Sequence, residues 1–179
     1  MDSATPHAAI AAAATTGCRV GGVHHHAEEC GAIVSMTLSN NGGVLATLCT
    51  GGHLHLFDAL RCRPLHAPLD AHSGLPGRAV CLTADGRCAT TVGDDGSLAV
   101  WDVRLGTLFR RLSDAHGPHC PALLALAASA TAHCYISADA DGVLMVWSAP
   151  SLRSSKLDNP HLGTRILSLS MADLSTLDF

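Results

Sequence analysis

Three segments of this chain superpose on one another, and that self-similarity restricts the fold more than any other feature of the sequence. They read IVSMTLSNNGGVLATLCTGGHLHLFD from Ile33 to Asp58, AVCLTADGRCATTVGDDGSLAVWD from Ala79 to Asp102, and LLALAASATAHCYISADADGVLMVWS from Leu123 to Ser148. Gly52, Gly96 and Gly142 recur 44 and 46 residues apart, and so do Phe57, Trp101 and Trp147. Aligning the opening apolar runs sets Val34, Val80 and Leu124 at separations of 46 and 44, and ILSLS just after Arg165 repeats the opening 43 residues on, from Leu124 to Leu167. A unit of this length is one supersecondary motif that cannot bury its apolar face alone, so neighbouring units must stack.

Inside each unit, apolar runs of five or six residues are separated by Asn40-Asn41-Gly42-Gly43, Asp85-Gly86, Asp95-Gly96 and Asp141-Gly142. Asn-Gly and Asp-Gly between apolar runs signal hairpins, because such turns need positive φ. Each unit is therefore an antiparallel meander. A tight turn at Asp85-Gly86 pairs Cys81 with Thr90 and Thr83 with Cys88, which makes Cys81 and Cys88 packed thiols. The runs Ser97 to Trp101 and Val143 to Trp147 are almost wholly apolar where a half-solvated strand would alternate, which predicts strands covered on both faces.

These residues resemble the WD-repeat family, whose period of about 40 to 45 residues makes one four-stranded propeller blade. The second unit carries the likeness along its length: His72 for the His of the Gly-His element, GDDGSLAVWD for the turn and third strand, and Trp101-Asp102 for the closing dipeptide. The likeness covers about residues 26 to 170, with departures at Ala71-His72 and Ala115-His116 in place of Gly-His, at Phe57-Asp58, and at Trp147-Ser148. The resemblance implies an all-β, incomplete β-propeller of three four-stranded antiparallel blades plus a fragment. The expected organisation is a flexible Ala/His-rich leader over 1–25 and a partial propeller over 26–179, with blades at about 33–66, 79–112 and 122–157 and a partial blade at 165–179.

Polar residues recur within the units at fixed offsets: a His eight before the first-strand anchor, a Ser or Thr in the second strand, an Asp four later and an aromatic six after that. The instances are His72, Thr91, Asp95 and Trp101, then His116, Ser137, Asp141 and Trp147. Ser, His and Asp in register invite a catalytic-triad reading. A set repeated once per blade would mean several identical active sites, and the resemblance implies a hydrogen-bonded brace joining the loop before a blade to its second and third strands. The first unit has His26, Thr47 and Phe57 but Gly51 in the Asp slot, so its brace is incomplete.

Composition narrows the function classes. Eleven Lys and Arg against fifteen Asp and Glu give a net charge of -4, and the only adjacent basic pair is Arg110 and Arg111, no footprint for a phosphate backbone. Asp2 stands where a signal peptide would carry positive charge, and no basic residue precedes Arg19, so a cytoplasmic or nuclear protein is expected. No run reaches the 18 or so apolar residues that a membrane span needs. The eight Cys include no Cys-x-x-Cys, so thiols acting as small hydrophobes are expected. His24, His25, His26, Glu28, Glu29 and Cys30 form a dense donor cluster, but adjacent ligands rarely complete a tetrahedron without a second cluster, and none has matching spacing. His53 and His55 share one strand face and read as an exposed or interblade pair. No cofactor, no metal and no catalytic residue is expected, and protein purified without chelator should carry no stoichiometric zinc or iron.

The leading function is a non-catalytic protein-interaction scaffold, a subunit of a larger assembly that binds other proteins through loops, with Asp94, Asp139 and Arg78 as candidate contacts. Direct nucleic-acid or membrane binding is not expected. The competing readings are a His/Cys metal-binding enzyme and a subunit of a nuclear ribosome-maturation or RNA-processing complex. Propellers close with typically four to eight blades. Three blades and a fragment would form a partial propeller, a truncated product or a chain completed by another copy or a partner, with self-association through open blade edges.

Overall fold

The computed structural model describes residues 30–118, 120, 122–129, 134–148 and 153–156. The 1–25 leader, the cluster from His24 to Glu29 and the 165–179 fragment lie outside the described residues. Among the described residues three antiparallel sheets form, and none of them closes on itself. The first contains β1 (Ile33–Leu38), β2 (Val44–Cys49) and β3 (His53–Asp58), with an outer strand split into β4 (Arg63–Pro64) and β5 (Leu69–Asp70) that both pair with β3. Pro64 and Pro68 cannot donate to a ladder, which breaks that edge into two short pieces. The second sheet is β6 (Gly77–Leu82), β7 (Cys88–Gly93), β8 (Leu98–Asp102) and β9 (Thr107–Leu112), and the third is β10 (Leu123–Ala128), β11 (Cys134–Asp139), β12 (Leu144–Ser148) and β13 (Arg153–Lys156). No helix among the described residues is long and apolar enough to cross a membrane.

The turns follow the local chemistry. Gly86 has φ 68° and Gly142 has φ 80°, a region that a side chain would strain. Thr83 N–H donates to the Cys88 carbonyl at 2.9 Å and Cys81 pairs with Thr90, as the turn at Asp85-Gly86 requires. Burial pushes the Cys81 thiol up to about 12, so it is a packed, unreactive group.

The sheets stack through two apolar layers. Ala46, Leu48, Leu54 and Leu56 of the first blade meet Val80, Leu82, Ala89, Ala99 and Trp101 of the second. The second blade's other face, Val92, Leu98 and Val100, meets Leu123, Leu126, Tyr135 and Trp147 of the third. Strand β8 is thus buried on both faces, as its unbroken apolar run predicts. Strand β12 has the same kind of run, yet Leu144, Met145 and Val146 remain half-buried.

The pairing corrects one alignment. Met36 lies opposite Thr47, Val80 opposite Thr91 and Leu126 opposite Ser137. The structural equivalents are therefore Met36, Val80 and Leu126, spaced 44 and 46 like the glycines and aromatics, and not Val34, Val80 and Leu124. Each first strand carries an irregularity near its start, between Ile33 and Ser35, Gly77 and Ala79, and Leu123 and Ala125. A slip of two residues keeps every side chain on its own face, so apolar pattern alone cannot detect it.

Candidate functional site

The loop before the second blade delivers His72 to the seam between β7 and β8. Its Nδ1 hydrogen-bonds Asp95 Oδ1 at 2.8 Å. Asp95 in turn accepts the Ser97 backbone N–H at 3.1 Å and the Ser97 hydroxyl at 2.7 Å, and Arg111 lies 3.6 Å from its Oδ2. Trp101 donates its indole N–H to Thr91 Oγ1 at 3.2 Å. His72 and Thr91 are fully buried and Trp101 nearly so. The ring of His72 lies so close to Gly93 that a Cβ there would meet it at 2.7 Å, so this position admits no side chain. Sequence reasoning missed Ser97 and Arg111, which the chain supplies from outside the recurring offsets.

The third blade solves the same problem with a different carboxylate. Trp147 donates its indole N–H to Ser137 Oγ at 2.7 Å, Ser137 Oγ lies 2.6 Å from His116 Nε2, and His116 Nδ1 lies 3.0 Å from Asp139 Oδ2. The four groups form one relay: indole to hydroxyl, hydroxyl to Nε2, Nδ1–H to carboxylate. The carboxylate is Asp139, and Asp141 is exposed and holds no part of the relay. The pairing explains the exchange. Gly93 lies opposite Gly77 and Asp139 opposite Leu123, so Asp139 stands where the second blade has Gly93. A carboxylate there reaches His116 directly, while its Oδ1 accepts the N–H of Asp141 at 3.0 Å and of Val143 at 2.8 Å. Val143 takes the place of Ser97, so an acid at 141 lacks the hydroxyl that steadies Asp95. Burial is the main influence on His116 and lowers its pKa despite the opposing pull of Asp139, which keeps the imidazole neutral as the relay requires.

Ser137, His116 and Asp139 have the connectivity of a hydrolytic triad, but the hydroxyl is fully buried and already accepts the indole proton. No substrate atom can reach it, and the arrangement acts as a brace across three chain segments. Asp139 is likewise no free loop contact. Arg78 and Asp94 pair with each other through two bonds of 2.6 Å in a fork, which uses both of those candidate loop positions internally.

Acid should loosen the second brace. Burial on its own would raise the Asp95 pKa, but the hydrogen bonds from His72 and Ser97 outweigh it and hold the group at about 2, against an ordinary 3.8. A carboxylate depressed in the folded state stabilises fully above its unfolded pKa, and that contribution is lost as pH falls from about 4 toward 2. Its size is about 2 kcal/mol. Urea midpoints at pH 6, 4 and 3 should fall less steeply for Asp95→Asn than for the unchanged protein, and parallel pH profiles would count against this coupling.

In the first blade, Phe57 replaces the indole donor and Gly51 occupies the Asp slot. His55 is buried and stacks on Phe57 with centroids 6.3 Å apart and planes 8° apart. His53 comes instead to Cys30 and Cys49, within 4.8 Å between their ligating atoms. Cys49 and His53 flank the β2–β3 turn, nineteen or more residues from Cys30 and without a metal-ligand spacing, and strand pairing brings them beside it.

No protein-family model and no curated protein matches the chain. In structure it is similar to the crystal structure of RRP9 WD40 repeats, at a TM-score of 0.71 and 15% identity over 88% of this chain and 46% of that one. The structure of U3-55K is similar at a TM-score of 0.68 and 14% identity, again over 88% and 46%. The crystal structure of the computationally designed Ika4 protein is similar at 0.66 and 22% identity, over 85% of each chain. The chain spans less than half the length of the first two. Three stacked antiparallel blades with braced seams, superposing on these structures, give the chain the fold of an incomplete WD-repeat β-propeller.

Proposed function

We propose that the chain is a non-catalytic platform for binding other proteins, a subunit of a larger assembly whose first blade is a docking face. The observation that carries this reading is a contrast between equivalent positions. Val80 and Leu82 are 5% and 8% exposed because the first blade covers them, whereas Met36 is 68% and Leu38 is 53% exposed. An apolar sheet face of this kind marks an interaction surface. The complementary face exists on the same molecule: Leu144 and Val146 of the third blade hold the places of Leu98 and Val100, which cover the third blade's first strand, yet both are only half-buried. A second copy can therefore dock its first blade on the third blade of its neighbour, a head-to-tail contact that makes a ring if the rotation closes. The buried, fully engaged hydroxyl of Ser137 supports the non-catalytic reading, and the net charge of -4 favours protein over nucleic acid as partner.

Sedimentation velocity at micromolar concentration should find the chain self-associated, and Met36→Glu with Leu38→Glu should return it to a folded monomer. A compact monomer without the substitutions would refute docking between copies. Co-purification from cells would then identify the protein that covers this face.

A further inference from the structure

The geometry points to a metal site in the first blade: we propose that Cys30, Cys49 and His53 bind one zinc ion, which ties together the segments that the His-centred braces join in the other two blades. The thiol sulfurs and an imidazole nitrogen of these residues all lie within 4.8 Å of one another. Cys30 and Cys49 are buried and His53 is half-buried, which sets the site just beneath the surface. The Nδ1 of His53 is buried and has no hydrogen-bond partner. A buried nitrogen in that condition costs free energy unless something binds it, and a cation does so.

The backbone around the three residues is already fixed. Gly51 N–H donates to the Cys30 carbonyl at 2.9 Å, Thr50 N–H to the Ala32 carbonyl at 2.8 Å, and Gly52 N–H to the Cys49 carbonyl at 3.0 Å. The Thr50 hydroxyl accepts the Ala32 N–H at 3.0 Å. Gly31, with φ 70°, turns the chain between Cys30 and β1, and a Cβ there would run into Thr50 Oγ1. The ligands thus ride on a clamped turn, which is the preorganisation a structural metal site needs.

Position by position, the cluster stands in the place of a brace. Ile33 pairs with Cys49 as Gly77 pairs with Gly93 and Leu123 with Asp139, so Cys49 holds the place of the brace carboxylate of the third blade. Cys30 comes from the segment before the first strand, Cys49 ends the second strand and His53 opens the third, the elements that the His72 and His116 networks connect. The first blade lacks the indole N–H and the Asp of those networks, and a thiolate–imidazole clip supplies an equivalent tie.

A second group of donors, His116, Cys120 and Asp139, lies equally close but is already engaged. Both ring nitrogens of His116 are bonded, at 3.0 Å to Asp139 and 2.6 Å to Ser137, so a metal there would have to break the relay. At the first blade the Cys49 thiol makes a long 3.4 Å contact to the His53 carbonyl, and the His53 Nδ1 has no hydrogen-bond partner to give up.

Two thiolates and one imidazole are a soft, nitrogen- and sulfur-based set that suits zinc in a tetrahedron, with water in the fourth position. On binding, both thiols release their protons to solvent, the Nδ1 lone pair joins the metal and Nε2 keeps the imidazole proton, so affinity falls as pH falls.

The test uses the whole chain, purified under reducing conditions without chelator, and cobalt(II) as a spectroscopic stand-in. Elemental analysis is expected to find about one zinc per chain. Cobalt added to the chelator-treated protein should give a sulfur-to-cobalt charge-transfer band that zinc abolishes, and native thiol counting should rise by two on chelation. Cys30→Ser and His53→Gln should each weaken cobalt binding at least about tenfold, whereas Cys62→Ser, outside the cluster, should leave it unchanged. Absence of the band in the unsubstituted protein overturns the site, as does binding that survives both substitutions. A Cys30–Cys49 disulfide that forms in place of metal overturns it too. Should a substituted chain fail to fold, the band and the thiol count of the unsubstituted protein decide alone.

Discussion

Trp101→Ala is expected to lower the unfolding free energy by about 3–5 kcal/mol, among the largest effects of any single truncation in this chain. Trp101 is buried in the layer between the first and second blades, where it packs in one cluster with Leu54, Leu56, Ala71 and Val103. Removing it opens a cavity that rigid strands on either side cannot close. The substitution also withdraws the indole N–H from the buried Thr91 hydroxyl. Trp101→Phe separates the two contributions: it retains most of the apolar volume and deletes the hydrogen bond, for an expected loss of about 1 kcal/mol. Denaturant midpoints for both variants check this ordering. An unchanged midpoint for Trp101→Ala would mean that the blades do not stack through this residue.

Much of this arrangement is legible in the order of the residues alone. Asp-Gly pairs demand positive φ between apolar runs, so the hairpins at Gly86 and Gly142 follow from local chemistry, and the spacing of Trp101 and Trp147 reports the blade period directly. The brace of the second blade is legible as well, because His72, Thr91, Asp95 and Trp101 keep the offsets of the resemblance and the structure joins them in two hydrogen-bonded pairs, His72 with Asp95 and Trp101 with Thr91. What escapes is set by pairing across the sheet. The first-strand register can slide by two residues because Leu123 to Ala128 is apolar throughout, and such a slide changes no face. Cys30, Cys49 and His53 carry no motif spacing, since their proximity depends on the pairing of Ile33 with Cys49 and on the turn at Gly51-Gly52. The exchange of Asp95 for Asp139 has a sequence signal only in hindsight: Gly93 and Ser97 change together to Asp139 and Val143, moving the acid two places and removing its hydroxyl support.

That exchange predicts a sharp difference between two aspartates only two residues apart. Asp139→Ala should cost about 2–4 kcal/mol, whereas Asp141→Ala should stay within about 0.5 kcal/mol of the unchanged protein. Asp139 is buried, accepts the His116 Nδ1–H on one oxygen and takes the N–H groups of Asp141 and Val143 on the other. Its removal leaves the buried His116 imidazole and the two backbone N–H groups without their acceptor and frees His116 to turn away from Ser137. The Trp147 indole then loses the fixed hydroxyl that accepts its proton, so the loss should spread to the packing of the third blade on the second. Asp141 is exposed, and only its backbone N–H takes part in the turn, a role that alanine keeps. Urea midpoints measured side by side, together with the chemical shift of the Trp147 indole proton, distinguish the two positions. An Asp141→Ala chain as unstable as Asp139→Ala would restore the acid to the position four residues after Ser137 and remove the physical basis for the difference between the second and third blades.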